Sequence, residues 1–224
     1  MTHEAAPGTR LERLKGLAEL LYVQRIKGFQ VPEAPHFDPA SQRFFLECLD
    51  AAHSYLEYGS GGSTVLASRS GKVFTTVDSD RFFLEQVRRK VGDDGATGRF
   101  IYADIGITGE WGYPLFRRTA PARLRRWRRY AELPFEGGGF RPDLILVDGR
   151  FRVACALVTT RELRHLPGTT LLIDDYAGRP HYHEVERFAE LLAMHGRMAE
   201  FAMKPHVDRA ALDESIEQHA RDWR

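Results

Sequence analysis

From Ser54 to Pro205 the chain alternates short apolar runs with longer stretches whose apolar positions recur every three or four residues. SYLEY, KVFTTV, RFIYAD, RPDLILVD and TTLLIDD read as five strands, and RMAEFAMKP as a sixth. Helical spacing fills the gaps after them in STVLASRS, DSDRFFLEQVRRKVG and FRVACALVTTREL. In the second of these, Phe83, Val87 and Val91 mark the face expected to be buried, and Gly92 ends the helix. HEVERFAELLAMHG also fits a helix, with Val185, Phe188, Ala189 and Leu192 on one side. The final stretch, HVDRAALDESIEQHARDWR, fits another. Ahead of this region the pattern gives two helices, one over Thr9–Lys27 through Leu11, Leu14, Leu17, Ala18 and Leu21. The other starts at Asp38, an N-cap followed by proline, and buries Phe45, Leu49 and Ala52.

Strands alternating with helices predict an α/β fold, a doubly wound and mostly parallel sheet covered on both faces. The expected organisation is one domain over 1–224, with a helical extension over 1–53 and an insert over 106–140 between strands three and four. Composition changes little in this picture. The chain has 224 residues and a net charge of +1, so nothing pulls it as a whole toward nucleic acid or an anionic membrane. Two distant cysteines, Cys48 and Cys155, fit no metal spacing and favour free thiols. The first residues lack the apolar core of a signal peptide and no apolar run is long enough to span a membrane, so a cytoplasmic location is expected.

The strand ends change the picture more. In doubly wound sheets ligands bind at the carboxyl ends of the strands. Here those ends carry the glycine loop EYGSGGST, then Asp78, Asp104, Asp148 and the pair Asp174–Asp175. A phosphate-binding P-loop needs a lysine that this loop lacks. The dinucleotide fingerprint starts at Gly59 and Gly61 but has Thr64 at its third glycine, and it gives Glu57 no role.

An acid, one residue and G-x-G after strand one, followed by acids at the next three strand ends, resembles the class I methyltransferases dependent on S-adenosylmethionine (SAM). The resemblance covers about Ser54 to Pro205. Within that superfamily the segments EYGSGGST, TGEWGYP, LVDGRFRVACAL and LLIDDY look like those of a small bacterial group of methyltransferase-like proteins. The resemblance implies a Rossmann-like fold and SAM as cofactor. It implies a cofactor site of Glu57, Gly59, Ser60, Gly61, Gly62, Ser63, Asp78, Ser79, Asp104, Ile105 and Asp148. Such folds close with an antiparallel hairpin, and the pattern after RMAEFAMKP leaves open whether the last strand is present.

What the resemblance implies for turnover is methyl transfer to oxygen or nitrogen of a small or anionic acceptor. Asp148 leads as the catalytic residue, with Asp174 and Asp175 supporting. The same three acids resemble the Mg²⁺ ligands of catechol-type O-methyltransferases, with Asp in place of Asn. The competing readings are that Asp174 or Asp175 caps the next turn while the other pairs with Arg150, Arg152 or Arg179, or that the acids supply a general base without metal. Candidate acceptor contacts are Trp111, Arg150, Tyr176, Arg179 and His181. Seven arginines between Arg117 and Arg129 make a basic helix, with Leu124, Trp127 and Ala131 as its apolar side. That helix suits a solvated face, or alternatively RNA. A further alternative is a SAM-binding protein without turnover, acting as a sensor or partner subunit. EGGG at the end of the insert offers a hinge.

Overall fold

The structure is a computed structural model that describes residues 18–19, 22–92 and 98–224. Most of the expected helix Thr9–Lys27 lies outside these residues; within them, Val23–Lys27 form a single π-type turn. The elements then follow as α1 (Pro39–Ala51), β1 (Ser54–Tyr58), α2 (Gly62–Arg69), β2 (Val73–Asp78) and α3 (Arg81–Val91). After them come β3 (Gly98–Tyr102), α4 (Pro121–Glu132), β4 (Leu144–Val147), α5 (Arg152–Leu163) and β5 (Thr170–Ile173). The chain closes with β6 (Ala189–His195), β7 (Met198–Met203) and α6 (Arg209–His219).

The strand order is β3-β2-β1-β4-β5-β7-β6. β1 pairs in parallel with β2 and β4, β2 with β3, and β4 with β5, whereas β7 runs antiparallel to both β5 and β6. Strand order therefore reverses between β1 and β4, where a doubly wound sheet opens its ligand crevice.

Alternation along each strand feeds two cores, as a sheet covered on both faces requires. Leu56, Tyr58, Ile145, Val147 and Ile173 pack under α4, α5 and α6 through Trp127, Tyr130, Leu157, Leu212 and Ile216. Tyr55, Phe74, Leu144, Leu146 and Leu172 face the other way, onto Phe45 and Leu49 of α1, Val65 of α2 and Val87 of α3. On α3 the buried positions are Leu84, Val87 and Val91; Phe83 is only half-buried and meets Phe29 edge-on at 5.4 Å.

Two expectations are corrected. HEVERFAELLAMHG is not a helix: Pro180–Arg187 make 3₁₀ turns and Ala189–His195 is strand β6. The sheet does not lack its last strand, because β6 and β7 form the closing antiparallel hairpin through Gly196 and Arg197. A two-residue loop with glycine first is a common hairpin turn, and Gly196 supplies the positive φ of 64°. Val185 and Ala189 are buried as a helix would bury them, but Leu192 is 53% exposed at the edge of the sheet.

Asp38 caps α1 through the amides of Ala40 and Ser41, and it also accepts the amide of Arg197 in the hairpin turn at 3.1 Å. A Cβ on Gly196 would collide with that carboxylate. One aspartate thus caps a helix and fastens the sheet edge to it. The Ser41 hydroxyl beside it holds its carboxyl well below the usual carboxylate range. No helix among the described residues is long and apolar enough to cross a membrane.

Candidate functional site

The glycine loop is shaped from three sides. Gly59 has φ of 97°, and a Cβ there would lie 2.8 Å from the backbone of Gly149, so the loops after β1 and β4 touch main chain to main chain. A Cβ on Gly62 would run into the carbonyl of Ala34 in the segment ahead of α1. Gly61 differs, since a Cβ there would meet nothing within 4 Å. The loop thus presents bare backbone to open space at one position and is wedged at the other two.

Glu57 lies inside β1 and is 1% exposed. Its carboxyl takes hydrogen bonds from the hydroxyls of Ser63 and Thr64 (the latter at 2.6 Å), and Thr64 in turn accepts the amide of Gly61 at 3.0 Å. Burial pushes Glu57 up to about 8, against those two hydroxyls. Both oxygens are therefore taken by the start of α2, and Glu57 holds the loop from beneath.

Asp78 closes β2. One oxygen accepts the amide and hydroxyl of Ser60 at 2.9 and 2.6 Å, and the other accepts the amide of Asp80 at 2.8 Å. Burial raises this carboxyl too. Ser79 beside it donates to the carbonyl of Gly112 at 3.2 Å, which ties the loop after β3 to the end of β2. Asp104 is more open; it accepts the amide of Gly106 and pairs with Arg126 of α4 at 3.2 Å. Ile105 is buried, and its carbonyl accepts the indole N–H of Trp127 at 3.0 Å.

Asp148, just past β4, keeps 32% of its side chain exposed and accepts Arg152 at 2.9 Å. Burial and the nearby Asp174 and Asp175 raise its carboxyl, while Arg152 and Arg150 oppose the rise. Arg152 is 4% exposed and also donates to the carbonyls of Gly149, Asp148 and Asp174. Asp174 receives a two-pronged ion pair from Arg197, and Asp175 meets Arg179, Arg197 and Arg152 at 2.8, 3.1 and 3.4 Å. This favours the arginine reading over Mg²⁺ for Asp148, Asp174 and Asp175: guanidinium groups take one oxygen of Asp148 and the carboxylates of Asp174 and Asp175, and no metal-ligating cluster occurs among the described residues. The pairing with arginine was legible, but Arg197 was missed, because a hairpin turn brings it there from far along the chain.

Among the described residues, three non-glycine positions have positive φ: Trp111 (57°), Phe151 (55°) and Asp175 (55°). They follow β3, β4 and β5 respectively. Such strain persists only where packing enforces it, and it clusters at functional sites. Phe151 is fully buried between Trp127 and Tyr130, which fixes the preceding Arg150. Trp111 is 78% exposed, so core packing is not its role. Tyr176 is buried, with its hydroxyl on Glu186 at 2.7 Å. His181 is half-buried against Tyr182, and burial lowers its pKa. A contact with no sequence signal is Trp223: it meets Tyr113 edge-on at 5.5 Å and lies under Arg117.

Part of the basic segment is neutralised at home. Arg126 pairs with Asp104, Arg128 with Glu132 and Glu217, and Arg129 with Glu136.

The chain is 35% identical to a methyltransferase-like protein from Silicibacter pomeroyi, with a TM-score of 0.71 over 85% of this chain and 100% of that one. With the strand order and the closing hairpin, this defines a Rossmann-like methyltransferase fold, and the chain belongs to the class I methyltransferase superfamily. An O-methyltransferase from Bacillus cereus, solved in complex with SAH, is 16% identical over 89% of this chain and 93% of that one, with a TM-score of 0.45. A TehB-like SAM-dependent methyltransferase from Corynebacterium glutamicum is 16% identical over 87% and 96%, with a TM-score of 0.45. No family profile and no curated protein matches the chain.

Proposed function

We propose that the chain is a SAM-dependent methyltransferase acting on oxygen or nitrogen of a small or anionic acceptor. The observation that carries the reading is a glycine loop after β1 that is open at Gly61, held by Asp78 through Ser60, and in main-chain contact through Gly59 with the loop that carries Asp148. These residues fit the cofactor. Gly61 lets a ligand approach main chain, Asp78 can take a ribose hydroxyl on the oxygen that accepts only the Asp80 amide and a second one where the Ser60 hydroxyl gives way, and the surrounding carboxylates favour a sulfonium cation. Ser60, Gly62, Ser63, Ser79, Asp104 and Ile105 complete the cofactor side in this reading, and Glu57 holds the loop from below. SAM supplies an electrophilic methyl group.

The chain's own work is positioning and proton handling. Asp148 takes the acceptor's proton; a carboxyl raised toward neutrality is a better base for that than an ordinary aspartate. Asp174 and Asp175 act one step back, holding Arg152, which holds Asp148. Trp111, Tyr176, Arg179 and His181 stand on the loops around the acceptor side.

The test is transfer of labelled methyl from SAM to a panel of hydroxyl, amine and carboxylate acceptors. Turnover that falls roughly 100-fold in Asp148→Asn, with unchanged affinity for S-adenosylhomocysteine (SAH), supports the reading. Binding of SAH without transfer to any acceptor favours a protein that senses the cofactor and does not turn over.

A further inference from the structure

Five arginines crowd the loops after β4 and β5 and the hairpin, yet one of them is treated differently. Arg152, Arg179 and Arg197 all end on carboxylates or carbonyls. Arg187, farther out, pairs with Glu184. Arg150 is 8% exposed, and its Nε and Nη1 are buried with no hydrogen-bond partner. Its guanidinium lies 4.2 Å from the ring centroid of Tyr113. Stacking on an aromatic face offsets part of the cost of burying the charge, but it leaves the in-plane N–H groups unanswered. Buried polar groups without partners are rare, and although Asp148 feels the charge of Arg150, its carboxylate pairs with Arg152 instead.

The backbone that presents Arg150 is rigid. Its amide meets the Tyr130 hydroxyl at 3.4 Å, its carbonyl meets the Cys155 thiol at 3.4 Å, and the strained Phe151 follows it. The cover is a single turn. Gly112 is tied to Ser79 by one hydrogen bond, and Tyr113, in a backbone turn closed on Gly109 and Glu110, leans on Trp223. A fixed cation thus lies beneath the Tyr113 ring on one small loop, which Trp223 braces.

We propose that Arg150 is the anchor for an anionic oxygen group, a carboxylate or phosphate, on the methyl acceptor, and that Tyr113, braced by Trp223, covers it until that group enters. The proposal rests on the methyltransferase reading for the word acceptor, but the oxyanion site stands on geometry alone. Guanidinium groups bind such oxyanions by charge-assisted hydrogen bonds, which are the strong kind.

Calorimetry with inorganic phosphate and, separately, acetate tests it on wild type, Arg150→Gln and Arg150→Lys, each with and without saturating SAH. At least one oxyanion should bind wild type, at least tenfold more weakly to Arg150→Gln, with partial recovery in Arg150→Lys. Tyr113→Ala, which uncovers the guanidinium, should bind no more weakly than wild type, and it carries the test together with Arg150→Lys if Arg150→Gln fails to fold. No oxyanion binding to wild type or Tyr113→Ala, or binding indifferent to Arg150, overturns the site. A parallel titration compares SAH with 5′-methylthioadenosine, which lacks the amino-acid carboxylate. If Arg150→Gln weakens only SAH, the anion is the cofactor's own and the acceptor assignment falls. Oxyanion binding in a wild type that ignores SAH would sink the methyltransferase reading and leave the oxyanion site standing.

Discussion

Arg197 reaches from the β6–β7 hairpin to Asp174 at the end of β5 and binds it with both prongs, Nε at 3.1 Å and Nη2 at 2.8 Å. Nη2 also donates to the carbonyl of His36 at 2.6 Å. One side chain therefore joins the segment ahead of α1, the sheet edge and the candidate site. Asp174 is 1% exposed, so removing its partner strands a buried charge. Arg197→Met should cost about 3–5 kcal/mol of stability. Adding Asp174→Asn should recover part of that loss, so the pair is strongly non-additive in urea unfolding. Equal and additive losses would show that the ion pair is incidental.

Glu57 gives a pH signature. Its folded carboxyl sits at about 8, above the 4.5 of an ordinary glutamate, because it is buried. Between those values the folded state binds the proton more tightly than the unfolded chain. The stability it contributes is full below about pH 4.5 and is lost as pH rises through about 8. Glu57→Gln should flatten this part of the stability profile relative to wild type. Parallel profiles would show that the carboxyl is ionised in the fold.

The three glycines of the loop should separate structure from function. Gly59→Ala needs a positive φ and forces a Cβ onto Gly149, so it should destabilise by about 1–3 kcal/mol. Gly61→Ala meets nothing within 4 Å and should shift Tm by no more than about 2 °C while weakening SAH binding at least tenfold. Differential scanning calorimetry and SAH titration on the same samples measure both. If Gly61→Ala leaves SAH binding intact, the ligand does not approach this backbone.

Guanidinium groups in place of a cation predict indifference to Mg²⁺. Calorimetry should detect no Mg²⁺ binding with or without SAH, and a chelator should leave SAH affinity unchanged. Saturable Mg²⁺ binding that Asp174→Asn removes would reverse this.

The parallel strands were legible because each is a compact apolar run that ends in an acid or a glycine, and those ends are where the crevice lies. Asp38 was legible as a cap because capping is local. β6 was misread because Val185, Phe188, Ala189 and Leu192 happen to keep helical spacing, and that spacing hid the Gly196–Arg197 turn between two strand-length runs. The missed contacts share one cause. Arg197 with Asp174, Tyr113 with Trp223, and Gly62 with Ala34 each join elements far apart in the chain, so no window of sequence contains both partners.

In the proposed function, this crevice binds the SAM nucleoside through Asp78. The direct measurement is calorimetric titration of SAM and SAH into wild type and Asp78→Ala, with folding checked by circular dichroism. Both ligands should bind wild type, and Asp78→Ala should bind each at least tenfold more weakly while remaining folded. Wild type that binds neither, or a folded Asp78→Ala that binds both as tightly, contradicts the account.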